Sequence, residues 1–137
     1  MSTVSAVRAG LATRIATISG LEVHSTVPTT PQVPSVLVQA TGGDYDLTMA
    51  DGGETWRFDL VLLAIQAATP WDVAQDAIDD YLARTGTASI KAAIEADVTL
   101  GGVAHSTRVL GWSDYGTISM GGGEYFGARL RVEVWPT

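Results

Sequence analysis

The sequence contains no cysteine, and it has few positive charges. Without thiols the chain forms neither disulfides nor thiolate metal sites, and a reducing compartment is compatible with it. Charged residues interrupt every apolar run well before the roughly 18 residues that a membrane-spanning helix needs. The N-terminus lacks the basic-then-apolar order of a signal peptide. We therefore expect neither a membrane span nor a signal peptide.

The charge balance is acidic because Lys and Arg are scarce. Eight basic residues stand against fifteen acidic ones, so the net charge is −7 although only 17% of the residues are charged. Proteins gain free energy on the phosphate backbone when Lys and Arg displace counterions, so a DNA-binding role is disfavoured. The apolar fraction of 46% favours exposed apolar patches that self-association would cover. A small alanine-rich domain without such an interface is the alternative.

A single domain of the α+β class is predicted for the 137 residues. Its centre is ETWRFDLVLLAIQ, residues 54–66. Trp56, Phe58 and Leu60 first alternate with polar residues, which is the period-two pattern of a strand with one wet face. From Leu60 onward both sides are apolar, as in a middle strand with a helix above it. We expect a mixed, mostly antiparallel sheet packed with two main helices and one short helix.

Apolar spacings of three and four residues predict the helices. The first covers residues 3–18 and is capped by Ser2 or Thr3. The second covers residues 70–84 and starts at Thr69-Pro70, where the Thr69 hydroxyl can accept a backbone N–H. A short third helix covers residues 89–97. The predicted inward residues are Val4, Val7, Leu11, Ile15 and Ile18 in the first helix, Val73, Ala74, Ala77, Ile78, Tyr81 and Leu82 in the second, and Ile90, Ala93 and Ile94 in the third.

The remaining strands are predicted at residues 21–27, 36–40, 103–114 and 125–135. Three prolines, Pro28, Pro31 and Pro34, predict an extended connector between the first two. An acidic loop over residues 41–53 contains a tight turn at Asp51-Gly52, and a glycine-rich turn at residues 121–123 joins the last two strands. The last strand alternates, with Arg129, Arg131 and Glu133 on its polar face.

The search for reactive groups gives no catalytic, cofactor or metal site. His24 and His105 lie on separate strands without the spacing of metal ligands. Asp44 and Asp46 alternate as in a calcium loop, but the following residues do not keep that register. The glycines at 121–123 lack the Gly-Lys-Ser/Thr ending of a phosphate loop. Asp76, Asp79 and Asp80 lie on a helix face without a pocket that would raise a carboxyl pKa.

Four segments carry a resemblance to a known family: TVSAVRAGLATRIATISGLEVHSTVP at 3–28, TWRFDLVLLAIQAATPWDVAQDAIDDYL at 55–82, SIKAAIEADVTLGGVAHSTRVLG at 89–111 and YFGARLRVEVW at 125–135. In the order of its predicted elements, its length and its residue pattern, the chain resembles the tail-terminator proteins of long-tailed bacteriophages, especially those of actinobacterial hosts. The resemblance implies a small α/β subunit of a six-membered ring. Such a ring caps the tail tube, contacts the tail-tube protein and joins it to the head-side connector proteins of the virion. The family supplies no catalytic residue.

Two sets of residues are candidates for that function. We hypothesise that Asp44, Asp46, Asp51 and Glu54 lie at or near the channel, where negative charge keeps passing DNA from lodging. The polar faces of edge strands and exposed loops are expected to make subunit or partner contacts. Another head–tail joining or head-closure protein is the nearest alternative, and a small enzyme or ligand-binding domain is a third. The candidate contact residues are Arg57, Arg129, Arg131 and Glu133.

Overall fold

A computed structural model describes residues 3–24, 33–45, 54–120 and 122–137. They form one five-stranded mixed sheet with two main helices and a short one, which confirms the predicted α+β class. A 3-10 turn at Leu100–Gly102 precedes the fourth strand. The elements in chain order are α1 (Val4–Ile15), β1 (Glu22–His24), β2 (Ser35–Asp44), β3 (Thr55–Gln66), α2 (Trp71–Leu82), α3 (Ile90–Glu95), β4 (Ala104–Met120) and β5 (Gly123–Pro136).

β3 lies in the middle of the sheet, whose strand order is β1-β2-β3-β5-β4. It pairs antiparallel with β2 and β5, β5 pairs antiparallel with β4, and β1 and β2 are parallel. Residues 60–64 of β3 are all buried, so both faces of its second half are covered, as its apolar run predicts. The described edge strands are β1 and β4.

Two of the three helices, α1 and α3, begin at a residue whose side chain caps the helix. The Thr3 and Ser89 hydroxyls accept hydrogen bonds from the backbone N–H groups of Ala6 and Ala92, both at 3.1 Å, and so cap α1 and α3. The predicted Thr69 cap is wrong. Pro70 occupies the cap position of α2 without a side-chain bond, and its carbonyl accepts from the Ala74 N–H. Exposed fractions of 38% and 49% also remove Val4 and Val73 from the predicted inward residues.

The main core lies between one face of the sheet and the three helices. Phe58, Leu60 and Leu62 of β3 point into it. A smaller apolar cluster lies on the other face, where strands alone supply Leu37, Val61, Leu63, Ile118 and Tyr125. We call the surface on this second side the helix-free face. The helices contribute Val7, Leu11, Ile15, Ala74, Ile78, Ile90 and Ile94 to the main core.

The strands differ from prediction chiefly in length. β2 runs four residues past Ala40, and β4 continues six residues past Asp114. Asp114 and Gly116 have φ of +56° and +152°, and the register of β4 against β5 shifts between Ser113 and Gly116. This bulge interrupts the alternation by which a strand is recognised in sequence, so the prediction stopped there. The predicted Asp51-Gly52 turn, Gly121 and most of the proline connector lie outside the described residues.

Gly127 leaves no room for a side chain between the central strands β3 and β5. It lies on β5 opposite Leu63, beside a register shift in β3, and a Cβ at this position would overlap the Leu62 carbonyl oxygen. Backbone at the centre of a sheet has little room to yield. We therefore predict that Gly127→Ala lowers the free energy of unfolding by about 3 kcal/mol or more, or prevents folding. Urea denaturation followed by circular dichroism measures the change.

Gly111→Ala in β4 is the matched control for Gly127→Ala. The Cβ added at Gly111 would meet the far end of the Arg131 side chain at 3.0 Å, and that flexible group can move. We expect the Gly111 variant to unfold within about 1 kcal/mol of the wild type. Equal stability of the two variants would contradict a close approach at Gly127.

Candidate functional site

The described part of the predicted acidic loop lies where β2 ends and β3 begins. Asp44 is opposite Thr55, so Glu54 lies at the same end of the strand pair. Asp46 and Asp51 lie outside the described residues. Arg57 Nη1 donates to Asp44 Oδ2 at 2.7 Å, and this bond together with the charge of Asp44 raises the pKa of Arg57. Because both side chains are exposed, the pair adds little to stability.

The predicted contact residues Arg57, Arg129, Arg131 and Glu133 share the helix-free face. Arg57 lies directly opposite Glu133, and Arg131 lies directly opposite Asp59. Opposite charges at such cross-strand positions stabilise a strand pair by about 0.2–1 kcal/mol. None of these four residues lies on an edge strand of the described sheet. β5 is inserted between β3 and β4, so all four lie on interior strands.

Charge is distributed unevenly between the two sides of the sheet. The helix-free face holds Arg57, Arg129 and Arg131, three of the seven arginines, and Arg108 of the edge strand β4, opposite Glu133, borders it. On the helix side, α2 contains four aspartates and neither Lys nor Arg. The excess of acidic over basic residues in the chain is therefore expressed more on the helix side than on the helix-free face. The aspartates of α2 are Asp72, Asp76, Asp79 and Asp80.

A row of aromatic rings joins α2 to the outer edge of the sheet. The rings of Trp112 and Tyr115 are 5.7 Å apart, and those of Tyr115 and Trp71 are 6.4 Å apart. Phe126, with its ring 4.7 Å from that of Trp71, anchors the row to the core. Trp71 and Trp112 remain 45% and 50% exposed. Exposed tryptophans of this kind mark surfaces that bind other molecules.

Tyr115 ties this row to α2. Its hydroxyl donates to Asp79 Oδ1 at 2.7 Å. Desolvation, the hydrogen bond to Asp79 and the negative charges of Asp79 and Asp76 raise the pKa of Tyr115 to about 12. The phenol therefore holds its proton, and the bond, throughout the neutral range.

Two side chains of α3 hold the outer edge of β4. Lys91 and Glu95 form an ion pair one helical turn apart. The Val109 N–H donates to Glu95 Oε2, and Lys91 Nζ donates to the Val109 carbonyl. Burial raises the pKa of Glu95, but the bonds from Lys91 and Val109 outweigh it, so the pKa lies below its ordinary value. The backbone groups of an edge strand are thereby occupied at Val109.

A cleft of about 320 Å³ opens beside this contact. Leu110 and Trp112 on its rim are 51% and 50% exposed. Arg84 and Arg108 are exposed as well, and neither forms an ion pair with another described residue. The cleft thus combines apolar surface with two positive charges, of which Arg108 also interacts with the nearby carboxylate of Glu95. We call its residues Leu82, Arg84, Arg108, Leu110 and Trp112 the β4 groove.

The opposite edge of the sheet carries a second apolar patch. β1 pairs only with residues 35–37 of β2, so from Ala40 onward β2 is the outermost described strand. A depression of about 220 Å³ lies here, lined in part by Val4, Tyr45 and Trp56. Tyr45 is 74% exposed. We call Val4, Asp44, Tyr45, Glu54 and Trp56 the Tyr45 edge.

The two histidines lie on the opposite edge strands of the sheet. His24 is on β1, with its Nε2 3.8 Å from Glu22, and His105 is exposed on β4. The described residues contain no group of three or more His, Asp or Glu side chains arranged to hold a metal ion. Among these residues no helix is long and apolar enough to cross a membrane.

Comparison with protein-family models and with curated proteins gives no match. The chain matches no protein-family model. It matches none of the curated proteins. Evidence on function therefore comes from the β4 groove, the Tyr45 edge and the distribution of charge.

The α3–β4 contact gives a pH-dependent prediction. Folding lowers the pKa of Glu95, so the charged form stabilises the fold above the ordinary pKa of 4.5, and this contribution is lost as the pH falls through the folded-state pKa. Glu95→Gln should lower the free energy of unfolding by about 1–2 kcal/mol at neutral pH, since bonds to a charged group are lost. The difference from wild type should shrink as the pH is lowered below 4.5, as urea denaturation over that pH range would measure.

The control for Glu95→Gln is Glu124→Gln. Glu124 is exposed on the β4–β5 hairpin, so its substitution removes the same charge without the contact. We expect it to have little effect over the same pH range. A loss of stability in Glu95→Gln that is independent of pH would contradict the charged contact.

The Tyr115 hydroxyl gives a spectroscopic prediction. Because folding raises its pKa above 10.0, the stability that the neutral phenol contributes is present below pH 10 and is lost as the pH rises toward 12. Asp79→Asn removes the acceptor charge and should move the titration of one tyrosine back toward 10. Tyrosinate absorbance measures it, with Asp72→Asn as a control that changes α2 away from Tyr115. An unchanged titration in Asp79→Asn would refute the pairing.

Proposed function

We propose that this chain is a structural virion subunit that forms a hexameric ring, terminates the tail tube of a long-tailed bacteriophage and joins it to the head-side neck proteins. The observation that supports the proposal is the unlike character of the two sheet edges. The β4 groove presents positive charge and tryptophan, and the Tyr45 edge presents tyrosine and carboxylates. Two different surfaces on opposite sides of one chain suit head-to-tail contacts. Such contacts close into a ring when the rotation per copy divides a full turn.

DNA passes through the lumen of this ring without being held. The acidic residues Asp44, Asp46, Asp51 and Glu54 belong at or near the lumen in this proposal, because repeated carboxylates around a channel repel phosphate. The repulsion acts within about 10 Å, the screening length at moderate salt. The scarcity of Lys and Arg in the chain supports a ring through which DNA passes without being bound.

Two other functions fit part of the molecule. Another head–tail joining or head-closure protein would use the same pair of edges, and its location in the particle distinguishes it. A small anion-binding domain is favoured by one observation, the cleft of about 320 Å³ with Arg84 and Arg108 on its lining. That function requires a stable monomer that binds inorganic phosphate at the cleft.

The test is co-assembly with the tail-tube protein of the same phage. We predict that the purified chain forms rings, either alone or on contact with tubes, and caps one end of each tube in negative-stain images. Antibody against the chain should label the head–tail junction of the virion. A chain that stays monomeric in the presence of tubes, or that labels another part of the particle, would rule out the proposal. A ring located on the head side of the cap would favour a different neck component.

A further inference from the structure

We propose that the β4 groove of one copy binds the Tyr45 edge of a second copy. The contact rests on the proposed function, since it is the joint between neighbours in the ring. It assigns a partner to two surfaces that a single copy leaves exposed.

The apolar surface is matched on the two sides. Leu110 and Trp112 of the groove are each about half exposed, and Tyr45 on the other edge is 74% exposed. The Tyr45 edge also offers Val4, 38% exposed, beside a depression of about 220 Å³. Large side chains left exposed together in this way mark contact surfaces, and Trp and Tyr carry much of the binding energy at interfaces.

The charges are opposite. Arg84 and Arg108 are exposed in the groove and have no ion-pair partner among the described residues. Glu54 on the Tyr45 edge likewise has none within the described ranges, whereas Asp44 already accepts from Arg57. Glu54 is therefore the first partner for the two arginines, and Asp44 the second. This assignment places Glu54 and Asp44 in the joint between copies, near the lumen that the proposed function gives to the acidic segment.

The backbone of β4 favours contact through side chains over strand addition. The register of β4 shifts between Val109 and Gly111 and again between Ser113 and Gly116. Bulges of this kind keep a second strand from pairing along an edge. Lys91 and Glu95 also occupy the outer backbone groups of Val109. An incoming copy therefore meets the side chains of Arg108, Leu110 and Trp112 first.

Symmetry selects the head-to-tail arrangement. A two-fold contact of the groove with itself would bring Arg84 and Arg108 against the same arginines of the partner, and like charges facing each other at an interface are costly. The Tyr45 edge is separated from β4 by β3 and β5, so both surfaces of one copy can be engaged at once. A chain of copies always has one free groove at one end and one free edge at the other, and in a ring these two surfaces bind each other.

Charge reversal tests the joint. One variant carries Arg84→Glu with Arg108→Glu, and the other carries Glu54→Arg. Alone, each should weaken self-association at least about tenfold, measured by sedimentation and native mass spectrometry with and without tail tubes. Mixed in equal amounts, they should assemble again, because a reversed groove meets a reversed edge at alternate joints and an unaltered pair meets at the others. Glu124→Arg on the β4–β5 hairpin is the control for Glu54→Arg and should assemble as wild type does.

An uncharged substitution provides a second measurement. Trp112→Ser should also weaken association at least about tenfold, while Val98→Ser, at a valine 37% exposed outside the groove, should not. Circular dichroism and thermal unfolding establish that every variant is folded.

Each outcome decides between the two proposals. If the wild type forms rings and both charge-reversed variants do too, the joint is elsewhere and the ring proposal stands. Failure of the mixture to assemble, with each variant impaired alone, also overturns the pairing of these two surfaces. If the wild type never associates, with or without tubes, the proposed function fails. If the wild-type monomer binds inorganic phosphate and the Arg84→Glu with Arg108→Glu variant does not, the groove is an anion site.

Discussion

Packing all three helices against one face of the sheet is the constraint on which the other features depend. Phe58, Leu60 and Leu62 of the central strand contact the helices, and this layer holds most of the buried apolar side chains. The second face must then be stabilised without a helix. Its apolar half packs strand side chains such as Val61 and Leu63 together, and its polar half sets opposite charges across neighbouring strands. The exposed edges and the charged face follow from this one-sided cover.

Sequence patterns predicted the elements whose residues alternate without interruption. The buried run of β3 and the alternation of β5 were confirmed because each residue there has a fixed side of the sheet. The prediction of β4 ended too early, because the backbone at Asp114 and Gly116 leaves the regular strand conformation. The Thr69 cap was wrong because a residue with a capping side chain does not determine where the first helical turn begins.

The candidate site was harder to predict because it is assembled from distant parts of the chain. Arg84 follows α2, Lys91 belongs to α3, and Arg108 and Trp112 belong to β4. Nothing in their spacing indicates that they line one cleft. The signal that sequence did contain was compositional: few charges and a high apolar fraction, which favoured a self-association surface without locating it. The arginines predicted as contacts are exposed or partly exposed, but the strand order places them on a face that balances its own charge.

The distribution of charge limits how the proposed ring subunit can face DNA. A net charge of −7 suggests that every surface repels phosphate, but the helix-free face carries Arg57, Arg129 and Arg131. Turned toward a lumen, that face would offer guanidinium groups at short range, and phosphate would displace the carboxylates paired with them. The four aspartates of α2 and the acidic segment between β2 and β3 would offer no guanidinium group to phosphate. For the proposed ring, this favours an orientation in which Arg129 and Arg131 of the helix-free face are turned away from the channel.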